Sequence, residues 1–293
     1  MKNNQQNDFL SILSGFFLLV RVQNIILLTL AFYLTAKYVF LPQFSWHEIL
    51  FNKYFFLLVI STDLAVASGY LINSFYDYKK DLINRPQKTL LEERIEQKKR
   101  IYLYFIFNFI ATGLAVFISW RAGVFIAFYI FLIWFYSHKI KSWALIGNII
   151  AAILYIFPFF GIFLFFKKIN GFILWHAFFL FILLIIKDLT KSLVNIKGEL
   201  LEQNMTLPVK YGERRTFQII FIFSLILILP ILVLLNHHQL GAMRYYFYIF
   251  VFSYYSMLFI TIKKLKIRTT YHFYLLIKFL LVLGVFSLML INL

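Results

Sequence analysis

The chain contains no cysteine in its 293 residues, which excludes a disulfide framework, a thiolate metal site and a cysteine nucleophile, and leaves the redox compartment unmarked. Charge is scarce as well: Asp, Glu, Lys and Arg make up 14 % of the residues, far below the usual share in a soluble domain. Histidine is sparse and scattered. His237 and His238 are adjacent, while His47, His138, His176 and His272 stand alone, so no histidine metal set is spelled out. Nor is there a gap between apolar segments wide enough for a large soluble domain.

What is present is apolar. Hydrophobic residues fill 62 % of the positions, 38 of them Phe, and the mean hydropathy is positive. These numbers predict an all-α, polytopic membrane protein, a bundle of about nine transmembrane helices forming a single domain over 1–293. The expected spans are 22–42, 52–73, 101–119, 122–138, 143–166, 172–190, 215–235, 244–262 and 272–291. A polar, weakly basic leader precedes the first apolar segment, and no small-residue cleavage site ends it, so that segment is read as retained.

The net charge of +17 raises the question of nucleic acid. The basic residues lie in short loops between spans, however, where they set topology and face anionic headgroups, so no nucleic-acid partner is expected. With the N-terminus cytoplasmic, 22 of the 29 Lys and Arg fall on the inside. That asymmetry predicts an integral protein of a bacterial-type cytoplasmic membrane, N-terminus cytoplasmic and C-terminus outside, with membrane lipids around it. The two longest polar connectors, 74–100 and 188–214, then share the inner face.

Each connector carries a polar stripe. Asn73, Asp77 and Asp81 are four apart, so on a helix they line one face with about 6 Å of rise between neighbours. Acids at that spacing repel unless something neutralises them. Two readings follow: Mg²⁺ carrying substrate phosphates, or plain ion pairing with Lys79, Lys80 or Arg85 at a solvated helix end. In the second connector Lys187, Lys191, Asn195 and Glu199 are also four apart. Lys191 suits a diphosphate oxygen and Asn195 and Glu199 suit Mg²⁺, against the alternative of a solvated basic loop. Asp63, inside the second span, is either a buried partner for a polar side chain or a member of a pocket wall.

The stretch Asn73 to Arg85, with Asn84-Arg85-Pro86 behind it, resembles the first Asn/Asp-rich motif of the UbiA superfamily of intramembrane prenyltransferases. The likeness extends to the span layout over nearly the whole chain. It implies a bundle of nine helices in which Asn73, Asp77 and Asp81 hold Mg²⁺ and a prenyl diphosphate, with Arg85 beside them. It also implies substrate contacts from Tyr136 and Lys141, which precede Gly147-Asn148, and from Arg21 and Asn24 on the first helix. The second motif departs from the pattern. Lys187-Asp188 stand for the family's Arg-Glu pair and Lys191 is retained, but Ser192, Asn195 and Glu199 occupy the three positions usually filled by Asp. Only one carboxylate of the three remains, and a second Mg²⁺ has correspondingly fewer hard ligands.

The function this implies is Mg²⁺-dependent transfer of an isoprenyl group from a prenyl diphosphate to a hydrophobic, aromatic acceptor in the membrane. Asp77 and Asp81 act through the metal, Lys191 and Lys141 stabilise the leaving diphosphate, and Asp63 or Asp188 takes the acceptor's proton. The alternatives are prenyl transfer to a non-aromatic polar-lipid acceptor and a non-catalytic isoprenoid- or quinone-binding membrane protein. Transport is disfavoured, because the polar groups crowd one membrane side instead of bracketing the midplane.

Overall fold

The computed structural model describes residues 2–202 and 204–291, with side chains from residue 11 onward. In chain order the helices are α1 (Lys2–Leu19), α2 (Val22–Thr35), α3 (Trp46–Leu50), α4 (Lys53–Tyr76), α5 (Tyr78–Asn84), α6 (Pro86–Glu92), α7 (Gln97–Ile118) and α8 (Trp120–His138). They continue with α9 (Ile146–Phe166), α10 (Gly171–Val194), α11 (Ile196–Leu201), α12 (Leu207–Tyr211), α13 (Glu213–Leu235), α14 (Arg244–Lys264) and α15 (Ile267–Ser287). Among the described residues nine helical segments are long and apolar enough to cross a bilayer, and this is an integral membrane protein. The spans agree with the hydropathy reading. Several ends run further than expected, the second reaching Tyr76 rather than 73, the third starting at Gln97 and the last at Ile267, while the first stops at Phe40 rather than 42 and the fifth starts at Ile146 rather than 143. Polar residues that read as connector are the ends of helices.

Local signals set the boundaries. Asn52, Ser119 and Asn170 each accept the backbone N–H three residues on, at 3.0, 3.1 and 2.9 Å, and so start α4, α8 and α10. Pro86 opens α6, where its missing N–H costs nothing. Gly212, at φ +83°, ends α12 and lets α13 begin at the next residue.

The chain divides into two compact units. The first comprises Met1–Thr29, Asn52–Ile140 and Lys197–Gln203. Its centre is α4 packed on α7 and α8, and small residues make the close approach possible. Ala65, Ala111 and Ala115 are fully buried, and the Ser61 hydroxyl donates across to the Ala111 carbonyl at 2.7 Å. Gly69 of α4 takes Ile133 of α8 against its backbone, where a Cβ would meet Cγ2 at 2.9 Å.

The second unit comprises Leu30–Phe51, Lys141–Ile196 and Asn204–Leu293. Here α10 is central, against α9, α13 and α15, and its buried Phe179 meets Phe247 and Phe250 edge-on at 5.2 and 5.1 Å between centroids. The hydroxyls of Ser224 and Tyr254 lie 2.7 Å apart, and Tyr255 donates to the Ser224 carbonyl at 2.6 Å, which ties α14 to α13 with polar groups that have no water to turn to.

Candidate functional site: an acid cluster with internal cations

In the first unit the stripe forms without a break. Asp77 is the joint between α4 and α5, yet its N–H donates to the Asn73 carbonyl at 2.9 Å, Asp81 donates to Asp77 at 2.9 Å, and Arg85 donates to Asp81 at 2.8 Å. The four-residue step therefore continues from Asn73 to Arg85, and Asn73, Asp77 and Asp81 share a face. Asp77 and Asp81 are buried, at 6 % and 8 % exposure.

Both acids are met by cations from their own helix. Arg85 donates to Asp81 Oδ2 at 2.6 Å, and Lys80 Nζ lies 3.3 Å from Asp77 Oδ1. Lys80 also donates to Glu199 Oε1 of α11 at 3.1 Å, and the Lys80 backbone N–H donates to Glu202 at 3.2 Å. That second bond satisfies a donor at the start of α5, which has no side-chain cap of its own. Burial opposes the charge on Lys80, but Asp77, Glu199 and Asp81 outweigh it and hold the pKa above the ordinary lysine value. Arg85 is likewise raised: burial works against it, and its hydrogen bond and charge pairing with Asp81 prevail.

The other expected first-unit residues surround a nearby tyrosine. Arg21 lies in the break between α1 and α2 at φ +52°, and its guanidinium sits 4.8 Å from the centre of the Tyr70 ring. Asn24 Nδ2 donates to the Tyr70 hydroxyl at 3.3 Å. Tyr136 is half-buried on α8. Asp63 is placed apart: it lies fourteen residues up α4 from Asp77, about 21 Å at helical rise. There Thr29 donates to its Oδ2 at 2.6 Å, and its Oδ1 is buried without a partner.

In the second unit, Asp188 is buried and accepts from Asn148 Nδ2 at 2.9 Å, while Lys187 Nζ stands 3.9 Å over the Tyr155 ring. Asn195 is the residue after α10, its N–H on the Lys191 carbonyl at 3.0 Å, and Lys191 and Lys141 are half-buried. Ser192 turns its hydroxyl back to the Asp188 carbonyl at 3.1 Å, as a helical serine does.

Sequence reasoning missed three participants. Lys80 was read only as a partner for solvated acids, though it is 5 % exposed; its place three residues after Asp77 was the available signal. Gly198 brings α11 against α5, where a Cβ would sit 2.3 Å from Asn84 Nδ2 and 2.8 Å from Lys80 Cγ. Glu202 carried no signal.

The donor chemistry suits Mg²⁺. Asn73, Asp77 and Asp81 offer hard oxygens along one face, and Asp77, Asp81, Glu199 and Glu202 against Lys80 and Arg85 leave an excess of negative charge. Among the described residues no three His, Cys, Asp or Glu side chains gather around one point. Two carboxylates can be enough for Mg²⁺, which takes one or two from protein and completes its shell with water and substrate phosphate.

The sequence profile of the UbiA prenyltransferase family matches residues 25–283, and the chain belongs to that family. It is 32 % identical over 166 residues to a digeranylgeranylglyceryl phosphate synthase of Methanosphaera stadtmanae, covering 56 % of this chain and 60 % of the relative. Against the synthase of the same name from Methanobrevibacter smithii it is 30 % identical over 181 residues, with 59 % and 62 % covered. The chain thus spans about three fifths of the length of these curated relatives. A solved structure from work on digeranylgeranylglyceryl phosphate synthase in membranes matches at TM-score 0.69 and 18 % identity, covering 94 % of this chain and 97 % of that one. A UbiA homologue from Archaeoglobus fulgidus bound to GPP and Mg²⁺ matches at 0.65 and 13 %, covering 94 % and 99 %.

Proposed function

We propose that the chain transfers an isoprenyl group from a prenyl diphosphate, with Mg²⁺, to a polar, non-aromatic lipid acceptor of the glyceryl phosphate class. The observation that carries the diphosphate half is the stripe of Asn73, Asp77 and Asp81 on a helical face, with both acids buried. Support for the acceptor comes from relatives whose name describes a prenylated glyceryl phosphate as their product. On that ground the polar lipid replaces the aromatic acceptor that the sequence suggested first.

Bound Mg²⁺ would supply Lewis-acid polarisation of the leaving diphosphate. Asn73, Asp77 and Asp81 would hold it. Arg85 orients Asp81 through its 2.6 Å hydrogen bond, and Arg21 and Asn24, set against Tyr70, are proposed contacts for a substrate anion. Lys141, Lys187 and Lys191 are proposed diphosphate contacts, with Asn195 and Glu199 as further oxygen donors. Of the two carboxylates considered as proton acceptor, Asp188 is retained, because Asn148 fixes its carboxylate. Asp63 is set aside on distance along α4.

The test is diphosphate release by the purified chain with Mg²⁺, geranylgeranyl diphosphate and either a prenylated glyceryl phosphate or an aromatic acid. Release is expected with the first acceptor and a fall of at least about 100-fold in Asp77→Asn, the scale of losing one electrostatic stabiliser. Unchanged release in that variant would remove the site assignment; release only with the aromatic acid would remove the acceptor.

A further inference from the structure

Lys80 lies inside the first motif, between Asp77 and Asp81. Its side chain is 6 % exposed, and its ammonium stands between Asp77 Oδ1 at 3.3 Å and Glu199 Oε1 at 3.1 Å, two carboxylates 122 positions apart in sequence. The stem that carries it is pressed against α11, since the space over Gly198 is taken up by Lys80 Cγ and the Asn84 amide. The backbone N–H of the same residue is tied to Glu202. Both ends of Lys80 are therefore fixed to α11, and its charge is placed by the fold rather than by a flexible arm.

Glu199 is the single carboxylate left in the second motif, where Ser192 and Asn195 stand at the other two acidic positions. Two buried acids facing each other need a cation between them. In this chain an amino-acid side chain already provides it. We propose that Lys80 is a built-in second cation: it holds Glu199 beside Asp77 and gives one N–H to the diphosphate, so that the chain takes one divalent ion with its substrate instead of two. An ammonium has three donors; one goes to Glu199 as a hydrogen bond, while Asp77 pairs with the charge at 3.3 Å. The shortage of acids in the second motif and the buried lysine in the first then answer one another. This rests on the prenyl-diphosphate reading above.

The test counts ions on the full chain in detergent, using Mn²⁺ as the divalent ion and geranyl S-thiolodiphosphate as an unreactive ligand. Bound Mn²⁺ is read by equilibrium dialysis and by the exchange broadening that appears in its EPR spectrum when two ions share a site. Wild type and Lys80→Arg are expected to bind one Mn²⁺ per chain without broadening. Lys80→Gln, which removes the ammonium between Asp77 and Glu199, is expected to bind two, with broadening. Two ions in wild type overturn the proposal while leaving the prenyl-diphosphate reading intact, and so does a Lys80→Gln chain that binds the ligand with one ion. No ligand-dependent Mn²⁺ in wild type overturns that reading and the proposal together. Should Lys80→Gln fail to fold, the counts in wild type and Lys80→Arg still decide.

Discussion

Gly198→Ala sets two effects of known size against each other. Inside an exposed helix, alanine in place of glycine stabilises by about 1 kcal/mol. At this position the new methyl would lie 2.3 Å from Asn84 Nδ2 and 2.8 Å from both Asn84 Cγ and Lys80 Cγ, whereas ordinary contact starts at 3.4 Å. The Asn84 amide must retreat by about 1.1 Å, and its nitrogen is already buried without a hydrogen-bond partner. Lys80 cannot give way either, because its far end is held by Asp77 and Glu199. Overpacking of this kind costs about 1–3 kcal/mol, which outweighs the helix gain and leaves a net loss of up to about 2 kcal/mol. The expected result is a lower Tm in detergent and faster hydrogen exchange confined to α5 and α11. Gly198→Ala combined with Asn84→Ala removes two of the three close contacts and is expected to recover part of the loss. A rise in Tm for Gly198→Ala alone would refute the close packing of α11 on α5.

Two further outcomes concern residues outside the cluster. Thr29→Val removes the donor to Asp63 Oδ2, a carboxylate whose other oxygen already has no partner, and is expected to cost about 1–3 kcal/mol by thermal unfolding; an unchanged Tm would show that Asp63 is otherwise satisfied. Glu48 closes a capping box at the start of α3, and hydrogen bonds from the Ser45 backbone and side chain lower its pKa below 4.5. A carboxyl depressed in the folded state stabilises above its unfolded value and loses that contribution as pH falls through the folded one, so exchange at Trp46–Leu50 is expected to accelerate below about pH 4.5. Glu48→Gln should abolish that dependence, and a pH response surviving the substitution would place its origin elsewhere.

The spans were legible because a run of eighteen or more apolar residues has few competing explanations, and lipid leaves the backbone no alternative to helix. The stripe was legible for a local reason: Asn73, Asp77 and Asp81 repeat at the helical step, and that step survives the joint at Asp77. The connectors were harder. Residues 74–100 read as polar loop, yet they hold α5 and α6, helices of seven residues each, too short for periodicity to declare. Pro86 marked the start of the second, but only once the helix was known to be there. Lys80 with Glu199 is a contact across 119 positions, and nothing in the spacing of either residue names the other.

The placement of acid also separates a site from a topology signal. The chain has twelve Asp and Glu, and nine of them fall in the two connectors 74–100 and 188–214, among the lysines and arginines that would orient a membrane protein without any acid at all. Several are answered in place: Asp77 and Glu199 by Lys80, Asp81 by Arg85, Glu92 by Lys88 at 3.4 Å. A site built only to capture a free divalent ion would not fill itself with ammonium and guanidinium, because those groups compete for the same oxygens. A site that receives a diphosphate has reason to keep both signs, since the acids hold a metal and the bases meet the phosphate oxygens the metal leaves uncovered. The internal pairs hold the acids buried and aligned, and under the proposed function the diphosphate would bring the charge that gives Lys80 and Arg85 something further to bind. Under the proposed function the metal and the diphosphate would then enter as one unit, with the cations inside the motif as part of the means of recognition.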